Sequence, residues 1–561
     1  MMIFNEFIYE RPNFLEVKNK IEHCMKRMDK CTDGQSLYKI FQEIDQLEKE
    51  TESNETICSI RHSIDTKDPF YETENDYLNE WMPEIQNLFN DAYTKFVEHP
   101  CLPEIRFKIP ETFFMAKAMD DKCFNEKILE ELKEENRWMT MYQNTIASAQ
   151  VPFRNGIYTL SELSKWMNDI DRTIRKEATL AYWNWFSDNE SVLGDIFDHL
   201  VKVRTKMAKK MGYTDYVEFG YYRMHRFDYT WKDIESYRRE ILKDVVPVAE
   251  KLYGFQKRRL AVQDVYAWDE KIEFPDGNPV PKYNAQQMVE RAKKMYHELD
   301  PDIGSFFDYL TENQLMDLVS KPNKASGGYC TYIPTYKAPF IFANFNGTSS
   351  DVDTLTHEAG HAYQVYKSQN IIPNTCIWPT YESCEIHSMS MEFLTYPWMP
   401  LFFDRDSDKF YYKHMADAIK FLPYGALIDH FQHVIYQNPE WNHTQRMHAY
   451  RKLEKMYLPY KNYDEIPILE NGGWWLRQLH VFMDPFYYID YTLAQVCAFQ
   501  IFIRSEKNDP NVIRDYKHIC EIGGTKTFTA ILKEAGIRNP METGCLHEVM
   551  LSISQWILQR T

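Results

Sequence analysis

The sequence predicts a mainly α fold in two lobes with one small antiparallel β-hairpin, on three observations. Its 561 residues exceed the ~250 to 300 at which a single core stops growing. Apolar residues step by three or four along most of the chain, as in helices that bury one face. One stretch, Gly327 to Thr348, is instead rich in aromatic and β-branched residues and reads as strand. Hydrophobic residues at 44% and aromatics at 15% supply a large core, unlike chains that stay disordered.

Taken in chain order, the N-terminal segment is charged and periodic, as in "NFLEVKNKIEHCMKRM", and carries helix without a motif. Chain length suggests an N-terminal helical lobe over 1–190 and a second region over 191–561. From Ile234 the series Ile234, Tyr237, Ile241, Val245, Val248, Leu252 continues the helical step, and Pro247 should kink that helix. The hairpin follows as "GGYCTYIPTYKAPFIFANFNGT", with Pro334 and Pro339 around its turn. Directly after it, "SSDVDTLTHEAGHAYQVYKSQN" predicts a helix from Ser350 to Asn370. Ser350 with Asp353 fits a capping box, and Asn370 is a stop.

That helix buries Val352, Leu355, Ala359, Ala362 and Tyr366. At ~100° per residue, His357 lies about 200° round from Leu355, on a face free for chemistry. His357 and His361 are four apart, so both can reach one ion, and Glu358 lies beside them. An H-E-x-x-H run arises by chance in roughly a few such chains per hundred, which favours a metal over a solvated face. A tetrahedral catalytic zinc needs a third protein ligand. The next helical stretch, "TYESCEIHSMSMEFL", offers Glu382, Glu385 and Glu392. Spacing does not decide among the three.

Charge and composition exclude other classes. A net charge of -18 argues against a nucleic-acid binder, which needs a basic face. No apolar stretch is long enough to cross a membrane, and no basic-then-apolar leader opens the chain. Eleven cysteines without a C-x-x-C pair suit free thiols in a reducing compartment, so a cytoplasmic location is expected. There is no G-x-S-x-G elbow, and His387 reads as structural.

H-E-x-G-H followed after about two dozen residues by E-I-x-S resembles the M3 family of zinc metallopeptidases, in its oligoendopeptidase F or Pz-peptidase branch. "PFIFANFNGTSSDVDTLTHEAGHA" is similar to the family's strand-to-active-helix block, "GYTDYVEFGYYRMHR" to an upstream helical segment, and "HVFMDPFYYIDYTLAQ" to its C-terminal substrate block. The resemblance implies a two-lobed helical spindle with a deep central channel, and a catalytic region over 191–561. It implies one zinc per chain held by His357, His361 and Glu385, with Glu358 as general base; of the two glutamates left over, Glu392 is expected to support the ligands.

The C-terminal block reads as a helix capped by Asp484 and started by Pro485, carrying Tyr487, Tyr488 and Tyr491 after His480. Peptide hydrolysis needs a donor for the developing oxyanion. The resemblance implies Tyr491 and His480 for that task, then Tyr488, with Tyr487 in the substrate wall. An exposed edge strand over Phe340 to Gly347 could pair with an extended substrate backbone, using Phe340, Ala343, Asn344, Asn346 and Gly347. The expected activity is zinc-dependent cleavage of internal bonds in short unstructured oligopeptides, by a water that Glu358 deprotonates. A carboxypeptidase or dipeptidyl carboxypeptidase is the alternative within enzymes. A non-catalytic peptide binder with structural zinc would not need Glu358. The chain could act as a monomer or a small homo-oligomer.

Overall fold

The computed structural model describes residues 2–560, and it is mostly helical. The chain forms two compact units, each built from separated segments. The first comprises Met1–Ala118, Val280–Ser407 and Cys497–Ile537; the second comprises Met119–Pro279, Asp408–Val496 and Arg538–Thr561. The expected boundary at residue 190 is not where the contacts divide the chain. The reason is that the N-terminal helices pack with the strand region. The helix Gly34–Ile64 accepts hydrogen bonds from Thr335 N at Ser53 Oγ (2.9 Å), from Ala325 N at Ser63 O (2.8 Å) and from Asn374 N at Asp45 Oδ1 (2.6 Å). Phe41, Phe96 and Phe113 hold its other side in an aromatic core, with the Phe41 and Phe96 rings 4.4 Å apart.

Five short strands occur among the described residues. In the second unit β1 (Val151–Phe153) and β2 (Gly156–Tyr158) form a small hairpin. In the first unit β3 (Met316–Val319), β4 (Tyr329–Ile333) and β5 (Ala338–Phe345) form a sheet in the order β3-β5-β4. The antiparallel β4–β5 pair runs from Tyr329 opposite Phe342 to Ile333 opposite Ala338. This is the expected hairpin, with β3 added parallel to β5. Strand β5 is therefore central and not an exposed edge. It is buried on both faces, with Phe340 1% and Ala343 0% exposed, as a nearly continuous apolar run requires.

Helix breaks follow local chemistry. The series from Ile234 runs as α-helix Trp231–Glu240, a π-helical turn Ile241–Val245, then α-helix Val246–Arg259 with Pro247 in its first turn. The wide turn absorbs the register change around the proline, which donates no hydrogen bond.

Candidate active site

The helix Ser350–Ser368 leaves β5 through a tight reversal. Gly347, at φ +87°, makes the turn, a conformation open to a residue without Cβ. The Asp351 carboxylate accepts from the backbone N–H groups of Asn346 (3.0 Å) and Gly347 (2.7 Å). The helix begins at Ser350, as expected, but its N-cap is Ser349, with no side-chain cap bond, so the expected Ser350–Asp353 capping box is not what starts it, and Asp351 instead ties down the reversal before it.

His357 and His361 project from this helix toward the helix Tyr381–Leu394. Glu385 Oε2 lies 3.3 Å from His357 Nε2 and 3.5 Å from His361 Nε2. The crossing is close because Gly360 lacks a side chain. A Cβ there would meet His387 O at 2.6 Å and Ser388 Cα at 2.7 Å. Of the three candidate glutamates, Glu385 thus converges with the histidines. Glu392 stands behind them, accepting from His357 Nδ1 at 2.6 Å, and Glu382 accepts from Thr380 Oγ1 at 3.0 Å. Ser388 Oγ donates to Glu385 Oε2 at 2.9 Å and fixes that carboxylate. His387 is fully buried, and burial lowers its pKa to about 4, which fits the structural reading.

The electrostatics divide the carboxylates by task. Burial pushes the Glu358 carboxyl above its ordinary range, and the neighbouring imidazoles only partly reverse this. Burial also opposes ionisation of Glu385, but His361 and His357 overcome it and hold the group well below the usual carboxylate range. Burial lowers the pKa of His357, yet its bonds to Glu385 and Glu392 raise it well above the usual imidazole value.

Strand β4 approaches the same point. A Cβ on Gly328, one residue before β4, would sit 3.8 Å from Glu358 Oε1. The residues expected to line an exposed β5 have other tasks. Phe340 and Ala343 lie in the core, the Phe340 ring 4.4 Å from that of Phe4. Asn344 Nδ2 donates to Ala325 O and Gly327 O, both at 2.8 Å, and so holds the loop that delivers Gly328. Asn346 Oδ1 accepts from Thr348 Oγ1 at 2.8 Å. These residues position the edge strand β4 and the metal-site helix. Sequence reasoning missed Gly328 and Gly360, which act by having no side chain.

In the second unit the structure gathers His480, Tyr487, Tyr488 and Tyr491. The His480 ring centroid lies 5.4, 5.0 and 5.9 Å from those of the three tyrosines in turn. Gln478 Nε2 contacts His480 Nδ1 at 2.9 Å, while Tyr424 donates to Gln478 Oε1 at 2.6 Å. The expected helix from Pro485 is absent. A short helix, Leu479–Met483, ends there, and the next begins at Ile489, so Tyr487 and Tyr488 lie in a turn. Phe486 takes φ +70° in that turn. Its N donates to Gln432 Oε1 at 3.2 Å and its O accepts from Arg226 Nη2 at 2.9 Å. Arg226 also pairs with buried Asp490 at 2.6 Å. The Phe486 ring fills the space left by Gly220, where a Cβ would fall 2.8 Å from it. The segment "GYTDYVEFGYYRMHR" thus serves as the clamp on the tyrosine turn.

His357, His361 and Glu385 present one donor atom each within 4.8 Å of one another, the one such group among the described residues. Glu392 engages His357 at Nδ1, so Nε2 is the nitrogen that faces Glu385 and the group, the atom a metal would take in place of a proton. Two imidazoles and one carboxylate are a donor set that fits a catalytic zinc. Fold and site together define a metallo-oligopeptidase.

The chain matches the Peptidase M3 N-terminal domain over residues 4–124 and Peptidase family M3 over residues 166–551, and it belongs to peptidase family M3. It is 43% identical to a solved structure of Pz peptidase A with an inhibitor, covering 99% of each chain at a TM-score of 0.94. It is 40% identical to a Bacillus anthracis structure assigned as an oligoendopeptidase F, covering 100% of this chain and 98% of that one at a TM-score of 0.90. An oligoendopeptidase F homolog of Borreliella burgdorferi is 24% identical over 410 residues, which span 69% of this chain and 66% of that relative.

Proposed function

We propose that the protein is a zinc-dependent endopeptidase that cleaves short, unstructured oligopeptides in a reducing, cytoplasmic setting. The observation that carries this is the convergence of His357 Nε2, His361 Nε2 and Glu385 Oε2 with Glu358 next in sequence. Zinc bound there would polarise the substrate carbonyl and make its water acidic enough to yield a proton near neutral pH. Glu358 takes that proton and returns it to the leaving amine, a task suited to a carboxylate whose burial raises its pKa. The edge strand β4 offers backbone groups to an extended peptide, and Gly328 keeps the space beside Glu358 clear of a side chain. Tyr491 and His480 are assigned as donors to the developing negative charge, with Tyr488 and Tyr487 as substrate contacts, on the resemblance and on their gathering around one turn. The eleven cysteines are all free thiols, which supports the reducing compartment.

Mass spectrometry of products from a mixed peptide library, with and without a chelator, tests this reading. It predicts internal cuts that also occur in end-blocked peptides, lost with chelator and restored by zinc. Cleavage only at free C-termini would establish the carboxypeptidase alternative instead.

A further inference from the structure

The two histidines of the metal group are not held alike. His357 Nδ1 is engaged by Glu392 at 2.6 Å, whereas His361 Nδ1, closed to solvent, has no hydrogen-bond partner among the described residues. His361 turns Nε2 toward Glu385 at 3.5 Å. With a metal on that nitrogen the neutral ring carries its proton on Nδ1, which makes this atom a buried donor. A buried donor left unpaired destabilises the fold and leaves the ring free to turn. The same helix holds a buried acceptor that is also unpaired. Gln364 stands three residues after His361, and side chains at that spacing are neighbours on a helix. It is fully buried, and its Oε1 has no partner among the described residues. The amide is fixed in this sense, because Nε2 donates to Ile377 O at 3.1 Å, an atom that only accepts, and to Ser368 Oγ at 3.0 Å. Ile377 precedes Trp378, whose ring centroid lies 6.5 Å from that of His361, so Gln364 and His361 border the same segment. The other side chains one turn from His361 are otherwise employed: His357 Nδ1 meets Glu392, Glu358 faces the space at Gly328, and Val365 is apolar core.

We propose that Gln364 is the positioning residue of His361: one buried water accepts the Nδ1 proton of His361 and donates to Gln364 Oε1. The inference rests on the metal reading above. The two atoms are not hydrogen-bonded to each other directly, and a water that bridges two buried polar groups is nearly as good as a direct bond. The bridge fixes which nitrogen of His361 carries the proton and where the ring points, as Glu392 does for His357. The acceptors differ in charge. Glu392 lends its imidazole negative charge, while the Gln364 amide orients His361 without adding any.

The test measures zinc affinity by competition with a chromophoric chelator, and the histidine ring protons by NMR of full-length protein labelled with ¹⁵N-histidine, in the wild type, Gln364→Met and Gln364→Glu. Gln364→Met keeps the length and removes the acceptor. Its zinc affinity should fall by about tenfold or more, and the Nδ1 proton signal of His361 should vanish while that of His357 stays. Gln364→Glu keeps an acceptor, so it should retain both signals, move that of His361 downfield and bind zinc at least as tightly as the wild type. Unchanged affinity in Gln364→Met overturns the proposal, as does joint loss of both signals, which would report general loosening of the helix, or a Gln364→Glu variant that falls with Gln364→Met. Should Gln364→Met not fold, Gln364→Glu decides by itself, an unmoved His361 signal overturning the bridge. If the wild type binds no zinc, the metal reading fails, and the ring proton then decides the bridge alone. A His361 Nδ1 signal in the zinc-free wild type that Gln364→Met loses supports it, and equal spectra overturn it.

Discussion

Glu392 shows how one carboxylate behind an imidazole sets which ring nitrogen faces a site. By accepting the Nδ1 proton of His357 at 2.6 Å, it fixes the tautomer and ring orientation that turn Nε2 toward Glu385. Glu392→Gln keeps the size and removes the charge, and zinc affinity should fall by about 10 to 100-fold. Competition with a chromophoric chelator measures this, and an unchanged affinity would deny Glu392 its role. The histidine pair was legible in the sequence because four residues on a helix is a fixed geometry. Glu385 was not legible by spacing, since Glu382 and Glu392 stand on the same helix. Only the crossing permitted at Gly360 decides which of them reaches the histidines, and that crossing is a tertiary fact. The resemblance implies the same residue because it carries tertiary information that spacing lacks.

At the scale of elements, the tyrosine turn and the N-terminal helix carry separate predictions. Tyr491 lies in the first turn of the helix Ile489–Glu506, directly after the turn held by Phe486 and Arg226. Tyr491→Phe removes one hydroxyl from a fixed support, so kcat should fall by ~10² to 10³ with KM little changed. A raised KM at constant kcat would make it a wall of the substrate site. In the helix Gly34–Ile64, burial first pushes Glu48 to about 8 and Glu52 to about 7, against the bonds each makes to Tyr93 and Asn374. Both lie above the ~4.3 of an unfolded glutamate. The folded chain therefore holds protons that the unfolded chain releases, and stability should fall as pH rises from about 5 to about 8. Thermal melts across that range should show the decline, and Glu48→Gln should flatten it; an equal slope in the variant would contradict the assignment. An apolar run such as β5 reports burial without saying which strands flank it, so the edge-strand expectation fails there. Asp484-Pro485 is a strong helix start signal, but the positive φ of Phe486 defers the helix to Ile489.

For the whole molecule, helical periodicity gave the fold class, and the resemblance agreed with the family over most of the chain. The interleaving of segments was not legible. Contacts such as Thr335 with Ser53, 282 residues apart, leave no trace in local pattern, so length suggested a division at residue 190 where the chain in fact returns to its first unit twice. The central claim is that one zinc held by His357, His361 and Glu385 and one base, Glu358, perform the hydrolysis. It is tested most directly by measuring zinc content and peptide turnover together in purified Glu358→Gln. The account predicts one zinc per folded chain with turnover reduced by ~10² to 10⁴, because the amide cannot take the proton of the attacking water. Turnover near the wild-type rate in the zinc-loaded variant would contradict it.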